Sequence, residues 1–221
     1  MRKYWPLLSA TAVLSAIIFC LPLLADFFVK NTEYVYPTVT DVKDYAVCSG
    51  VISEKDGTLY VKANISESDI PYVREGQTVE ITGNALGDEV YYGKVSSISE
   101  KATTLQSGTS TRTVIKCDIK FEDKTEALKA GYNVTAKIIT NVHEDAVIVP
   151  FEAVFGEGKN KYVYIVNDAL ANKQLIETSG ETTDGYMVSV GVDDTTKVVI
   201  DPSELEGGKI RVNAYPFGEA Y

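Results

Sequence analysis

The chain has 221 residues, room for one or two domains, and its 45% hydrophobic and 24% charged residues are the balance of a globular protein, not a disordered one. A formal net charge of −10 withholds the positive footprint that nucleic-acid binding needs. One His and three Cys leave most zinc, haem and histidine-dependent catalytic schemes short of residues.

Arg2 and Lys3 precede an uncharged run that lasts until Asp26, and its core, residues 7–25, is long enough for a helix to span hydrocarbon. Tyr4 and Trp5 at its entry, with Phe27 and Phe28 at its exit, suit the headgroup level. The basic flank would stay cytoplasmic, which puts everything after Lys30 outside. A cleaved signal peptide is the competing reading. Its apolar region is normally about 7–15 residues, and Leu23 stands where a small residue is preferred before a cut after Ala25. Cys20, a conceivable lipid attachment point, is poorly served by the bulky Ile18 and Phe19 before it. Residues 1–30 are therefore expected to be a cytoplasmic tip and an uncleaved transmembrane anchor.

Beyond the anchor the pattern is that of strands. Residues 31–40 are polar with aromatic punctuation, and Pro37 discourages a helix. Residues 42–52 read as a strand ending at a turn over 53–57, and 58–65 alternates with Leu59, Val61, Ala63 and Ile65 on one face. Ser66 to Asp69 has the form of a capping box, with Ile65 and Ile70 in the positions of a hydrophobic staple. Pro71 limits the helix to one or two turns, and Gly76 turns the chain into a strand over 77–82. Further strands are expected over 89–99, 111–121 and 132–140, separated by a Thr/Ser-rich mobile loop at 100–110 and one helical turn at 125–129. Residues 141–145 form a polar break, followed by short strands at 146–149, 161–166, 174–178, 186–190 and 197–200, the spacing of a second all-β module.

Several of these residues carry a resemblance. Residues 61–81 resemble the β-barrel segment of the membrane fusion proteins, the periplasmic adaptor subunits of bacterial efflux and secretion pumps. The matching positions are Ala63, Glu67, Asp69, Ile70, Gly76 and Gln77. Gly93 with Val95 and Ile98 is similar to the family's following strand, and Gly131 to the glycine ahead of its closing strand. Pro150, Ala153 and Val154 are similar to the motif that leads into the membrane-proximal domain, and Gly180, Gly191, Gly207 and Gly208 follow in family order. The chain departs from the usual adaptor between Ile52 and Thr58, where a lipoyl-like domain and a long α-helical hairpin would be carried. The resemblance implies a shortened form lacking both, and hence a pump that crosses a single membrane.

The resemblance further implies an all-β fold: a Greek-key-like barrel with its linker and first strand over 31–145, then a smaller membrane-proximal β-domain and tail over 146–221. Residues from about 33 to 40 would return to that second domain as its first strand. The expected function is a non-catalytic, membrane-anchored adaptor, homo-oligomeric in its assembly with a transporter permease and ATPase of ABC type. A free-standing extracytoplasmic binding or sensing module is the rival from another class.

Chemistry is sparse. His143 lies in the polar break and reads as solvated or hinge-like, and a nucleophilic pairing of it with Cys48 or Cys117 has no motif to support it. Both cysteines fall in strands and are expected as buried free thiols, with a disulfide as the alternative. The carboxylates at 144–145 and 193–194 read as solvated turns, and no cofactor or metal is expected. The family-motif glycines and Pro150 read as structural turn residues.

Overall fold

A computed structural model of the chain describes residues 29–107, 110–122, 128–158, 160–205 and 207–218. The anchor expected at 1–30 lies almost entirely outside these residues, as does most of the helical turn expected at 125–129. Among the described residues no helix is long and apolar enough to cross a membrane. Thirteen strands follow in chain order: β1 (Lys30–Val35), β2 (Thr38–Lys55), β3 (Thr58–Ser66), β4 (Thr78–Thr82), β5 (Tyr91–Ser107), β6 (Ser110–Phe121) and β7 (Asn133–Val149), then β8 (Phe155–Glu157), β9 (Asn160–Asn167), β10 (Leu170–Glu181), β11 (Tyr186–Val190), β12 (Val198–Val199) and β13 (Lys209–Pro216). Helix is confined to three single 3-10 turns among the described residues, so the fold is all-β.

The strands divide into two compact units. One is Asp41–Glu144, and the other joins the described residues up to Thr40 to those from Asp145 onward. In the first, β2, β3, β6, β5, β4 and β7 are hydrogen-bonded in that order, and a β7–β2 pairing closes the ring. Strands β4, β5 and β6 form a meander and β3 returns beside β6, which is Greek-key connectivity. Closure leaves the ring no free edge and points alternate side chains inward. Ile52, Val61, Ile65, Val79, Ile81, Ile119, Ala136 and Ile138, each 0–1% exposed, fill the interior. Burial of this kind stabilises by roughly 1.5–3 kcal/mol per large apolar side chain.

The β2–β3 connection is a two-residue turn, Asp56-Gly57, with Lys55 paired to Thr58 and both turn residues at positive φ (53° and 75°). That is the hairpin geometry whose twist matches the flanking strands, and nothing is inserted there. In the second unit β9, β10, β13, β1 and β12 close another ring, in which β1 runs parallel to β13 and antiparallel to β12. Its interior holds Tyr164, Val166, Ala171, Val199, Leu205 and Val212, and the Tyr164 hydroxyl donates to Gly207 O at 2.6 Å. A separate cluster of Val149, Ala153, Val163, Ile176, Val188 and Val198 packs on the opposite face of β9 and β10.

Three expectations need correction. Residues 100–107 are not a loop: β5 and β6 pair as a ribbon from Ala102 opposite Ile115 out to Ser107 opposite Ser110, because threonines fit a strand as well as a turn. The polar break at 141–145 is the middle of β7, bent only at Asp145 (φ 51°). Ser66 does not cap a helix. It is the last residue of β3, paired with Val114, and its hydroxyl contacts Ser68 Oγ at 2.8 Å, while the helical element shrinks to Ile70–Tyr72 with Asp69 at its N-cap.

Candidate functional site

The family-motif positions gather where the barrel is difficult to build. Ala63, 1% exposed, is the small residue of β3, flanked by Gly50 on β2 and Cys117 on β6. Gly50 has no room for a side chain: an added Cβ would stand 2.6 Å from Val61 Cγ1 and 3.0 Å from Lys62 O. Sequence reasoning left Gly50 out, although a glycine inside an alternating strand is itself a signal of close approach.

Residues 66–77 are the Greek-key crossover from β3 to β4, and here most motif residues sit. Glu67 is exposed, and Asp69 accepts from Ser68 Oγ at 3.1 Å while its carbonyl accepts the Tyr72 N–H at 3.0 Å. Ile70 and Val73 pack on the barrel core. Gly76 takes φ 88°, which frees its N–H to reach Val95 O at 2.8 Å, and Val95 N–H returns a bond to Gln77 O at 3.0 Å. Both ends of the Gln77 amide are used: Oε1 accepts from Arg74 N at 2.8 Å and Nε2 donates to Tyr72 O at 3.0 Å. Arg74, which the motif does not include, adds bonds from Nη1 to Pro71 O and Val73 O at 2.7 and 2.8 Å. The crossover is pinned to β5 by its backbone and braced internally by Gln77 and Arg74.

Gly93 and Gly131 serve the ring elsewhere. A Cβ at Gly93 would meet Lys120 O at 2.7 Å. Gly131, at φ 97°, donates to Ile52 O at 2.8 Å while Ile52 N–H donates to Tyr132 O at 2.9 Å, fastening the entry of β7 to β2. In the other unit Pro150 opens a 3-10 turn over Phe151–Ala153, Ala153 N–H bonds Pro150 O at 3.1 Å, and Ala153 is fully buried with Val154 packed beside it.

Among the described residues the cysteines, His143 and Asp193 stand in separate surroundings. Cys48 and Cys117 are free and buried; burial pushes the first thiol up to about 11 and the second to about 12, so neither supplies a thiolate near neutrality. Cys48 Sγ donates to Ala136 O at 3.4 Å. His143 lies on β7 with Nε2 3.0 Å from Asp44 Oδ2 and 3.2 Å from Asn141 Nδ2. Asp193 accepts from Thr195 N, Thr195 Oγ1 and Thr196 Oγ1, and the two threonine hydroxyls lead the bonds that hold its carboxyl below the ordinary value; its oxygens are committed to a turn. Among the described residues no group of three or more acidic, His or Cys side chains is placed to hold a metal.

Comparison with known proteins follows the barrel. Residues 59–138 match the family model of the YknX-like beta-barrel domain. The putative efflux system component YknX of Bacillus subtilis is 26% identical over 66% of this chain and 40% of its own length. The putative efflux system protein YvrP of the same organism is 25% identical over 72% of this chain and 43% of its own. The crystal structure of MacA from Actinobacillus actinomycetemcomitans shares the fold, with a TM-score of 0.50 and 24% identity over 65% of this chain and 42% of that one. Over its barrel the chain carries a YknX-like beta-barrel domain and is similar to these efflux-system adaptor proteins. It spans less than half the length of the curated relatives it matches.

Proposed function

We propose that this chain is the non-catalytic, membrane-anchored adaptor subunit of an exporter. The closed Greek-key barrel carries the reading, because it matches a barrel domain whose bearers include components of efflux systems. The N-terminal anchor would hold both β units outside a single-membrane cell, with 146–221 and the returning strand β1 as the membrane-proximal domain. A permease and an ATPase of ABC type, with several copies of this chain, would complete the assembly. The tight Asp56-Gly57 turn supports the ABC assignment, since it stands where the hairpin that docks outer-membrane channels would be carried. Tethering raises the effective concentration of a weak contact toward the millimolar range, so a modest interface suffices. In this reading Ala63, Glu67, Asp69, Ile70, Gly76, Gln77, Gly93, Gly131, Pro150, Ala153 and Val154 are structural positions rather than a ligand site.

The test is recovery of tagged full-length protein from crosslinked membranes in mild detergent. Co-purification of a permease and its ATPase is the expected result. Recovery of no transporter subunit would refute the adaptor reading in favour of the free-standing binding module.

A further inference from the structure

The outer face of the barrel unit carries a feature that the structural roles above leave unused. Residues of strands β2, β3, β6 and β5 line a cleft of about 500 Å³ there. The pairing of β5 is irregular beside it, with register shifts between Val95 and Ser97 and again between Ile98 and Ala102; bulges of this kind curl a strand and re-aim its side chains. Lys62 and Asn64 of β3 and Lys116 and Asp118 of β6 line the cleft, two cations to one anion, and Val51, 39% exposed, with Ile98 supplies an apolar strip.

Charge is distributed unusually here. On the same strands Lys120 stands directly opposite Lys94, an arrangement that costs stability in a sheet. The acids nearby compensate only in part. Asp118 is opposite Lys62, and Glu122 Oε1 is 2.6 Å from Lys94 Nζ. Lys116 and Lys120 have no ion-pair partner among the described residues, and the Asn64 side-chain amide makes no hydrogen bond there. In a chain of net charge −10 this is a local inversion of sign.

We propose that this cleft binds an extended, acidic segment of a partner polypeptide. Carboxylates of the segment pair with Lys62 and Lys116, its main chain meets the Asn64 amide, and a small apolar side chain lies on Val51. A concave wall four strands wide fits a chain better than a flat anionic bilayer. Exposed lysines contribute little singly, so binding depends on several acting together and weakens with salt. The inference stands apart from the adaptor reading, because a peptide assay needs no transporter.

The test uses full-length protein in uncharged detergent micelles and the anisotropy of a fluorescein-labelled hexaglutamate peptide. Hexalysine peptide and phosphatidylglycerol vesicles are the comparison arms. Saturable hexaglutamate binding is expected, weakened about fivefold or more by each of K62E and K116E at unchanged melting temperature. If a charge reversal disturbs folding, the neutral pair K62Q and K116Q must show the same loss in smaller degree. Absence of hexaglutamate binding, equal binding of hexalysine, unchanged binding in the folded lysine variants, or lysine-dependent binding to the vesicles alone would overturn the proposal.

Discussion

Gly93 offers a direct test of how tightly the barrel is built. Replacing it by Ala puts a methyl group 2.7 Å from Lys120 O, 3.1 Å from Ile119 Cγ2 and 3.2 Å from Ile81 Cδ1. Ordinary contact begins near 3.4 Å, so β5 and β6 must part by roughly 0.7 Å. The nearest obstacle is a backbone carbonyl held in the β-ladder, which cannot rotate away as a side chain would. Overpacking costs about 1–3 kcal/mol, and a backbone obstacle places Gly93→Ala in the upper part of that range. For a unit of about 100 residues each kcal/mol lowers Tm by about 4–8 °C, so a fall of about 8–20 °C is expected. Thermal unfolding followed by near-ultraviolet circular dichroism measures it, and hydrogen-exchange mass spectrometry of β5 and β6 peptides localises it. Gly208→Ala is the control, since a Cβ there meets nothing within 4 Å, and its effect should stay within about 0.5 kcal/mol. A Gly93→Ala protein melting within about 2 °C of the parent would refute the close-approach argument.

Two further outcomes follow from the same geometry. Gln77→Ala removes both bonds that brace the crossover and should cost about 1–2 kcal/mol, with faster amide exchange at Gly76 and Val95; unchanged protection at both would show that the brace is idle. Cys48 and Cys117 have folded-state thiols raised above the ordinary 9.0 by burial, so the stability they contribute is complete below that pH and is lost as pH climbs toward about 11 and 12. Urea unfolding across pH 8–11 should show a falling alkaline limb that Cys117→Ala flattens, and iodoacetamide at pH 7.5 should label neither thiol until the protein is unfolded. Rapid labelling of the native protein would contradict the burial.

What the sequence discloses depends on whether burial imposes a pattern. β3 and β4 are legible because one face of each is sealed in the barrel, so Val61, Ala63 and Ile65, then Val79 and Ile81, recur at every second position. The ribbon of β5 and β6 and the middle of β7 have little buried face: Gln106, Thr111, Asn141, Val142 and Glu144 are all exposed, and strands without a dry side read as loops. The capping box misleads for a different reason. Ser66 and Asp69 have the right spacing, but the pairing of Ser66 with Val114 keeps it in β3, and tertiary hydrogen bonding overrides the local motif. The parallel pairing of β1 with β13 joins residues near opposite ends of the chain, which no local periodicity encodes. The motif glycines are visible by type, but their purpose requires the neighbours: Gly131 turns, whereas Gly93 admits a carbonyl.

The closed rings also limit how a partner can be recognised. A ring of strands that pairs its last member with its first has no row of free backbone groups to offer, so an incoming strand cannot simply extend it. Open backbone edges are short: three-residue β8, which pairs only with β9, and the outer part of the β5–β6 ribbon. Recognition by the barrel unit then falls to side chains on outer faces, which the interior does not constrain. Gly93 and Lys116 illustrate the separation. The first lies among Ile81, Ile119 and the Lys120 carbonyl, where any added atom disturbs the core, and the second is exposed on β6 with no partner of its own among the described residues. Substitutions at positions like Gly93 should therefore lower stability and partner binding together, whereas K116E should reduce hexaglutamate binding at constant Tm. A K116E protein that loses stability in proportion to binding would show that the outer face is part of the fold's own support, and the division between interior and recognition surface would fail.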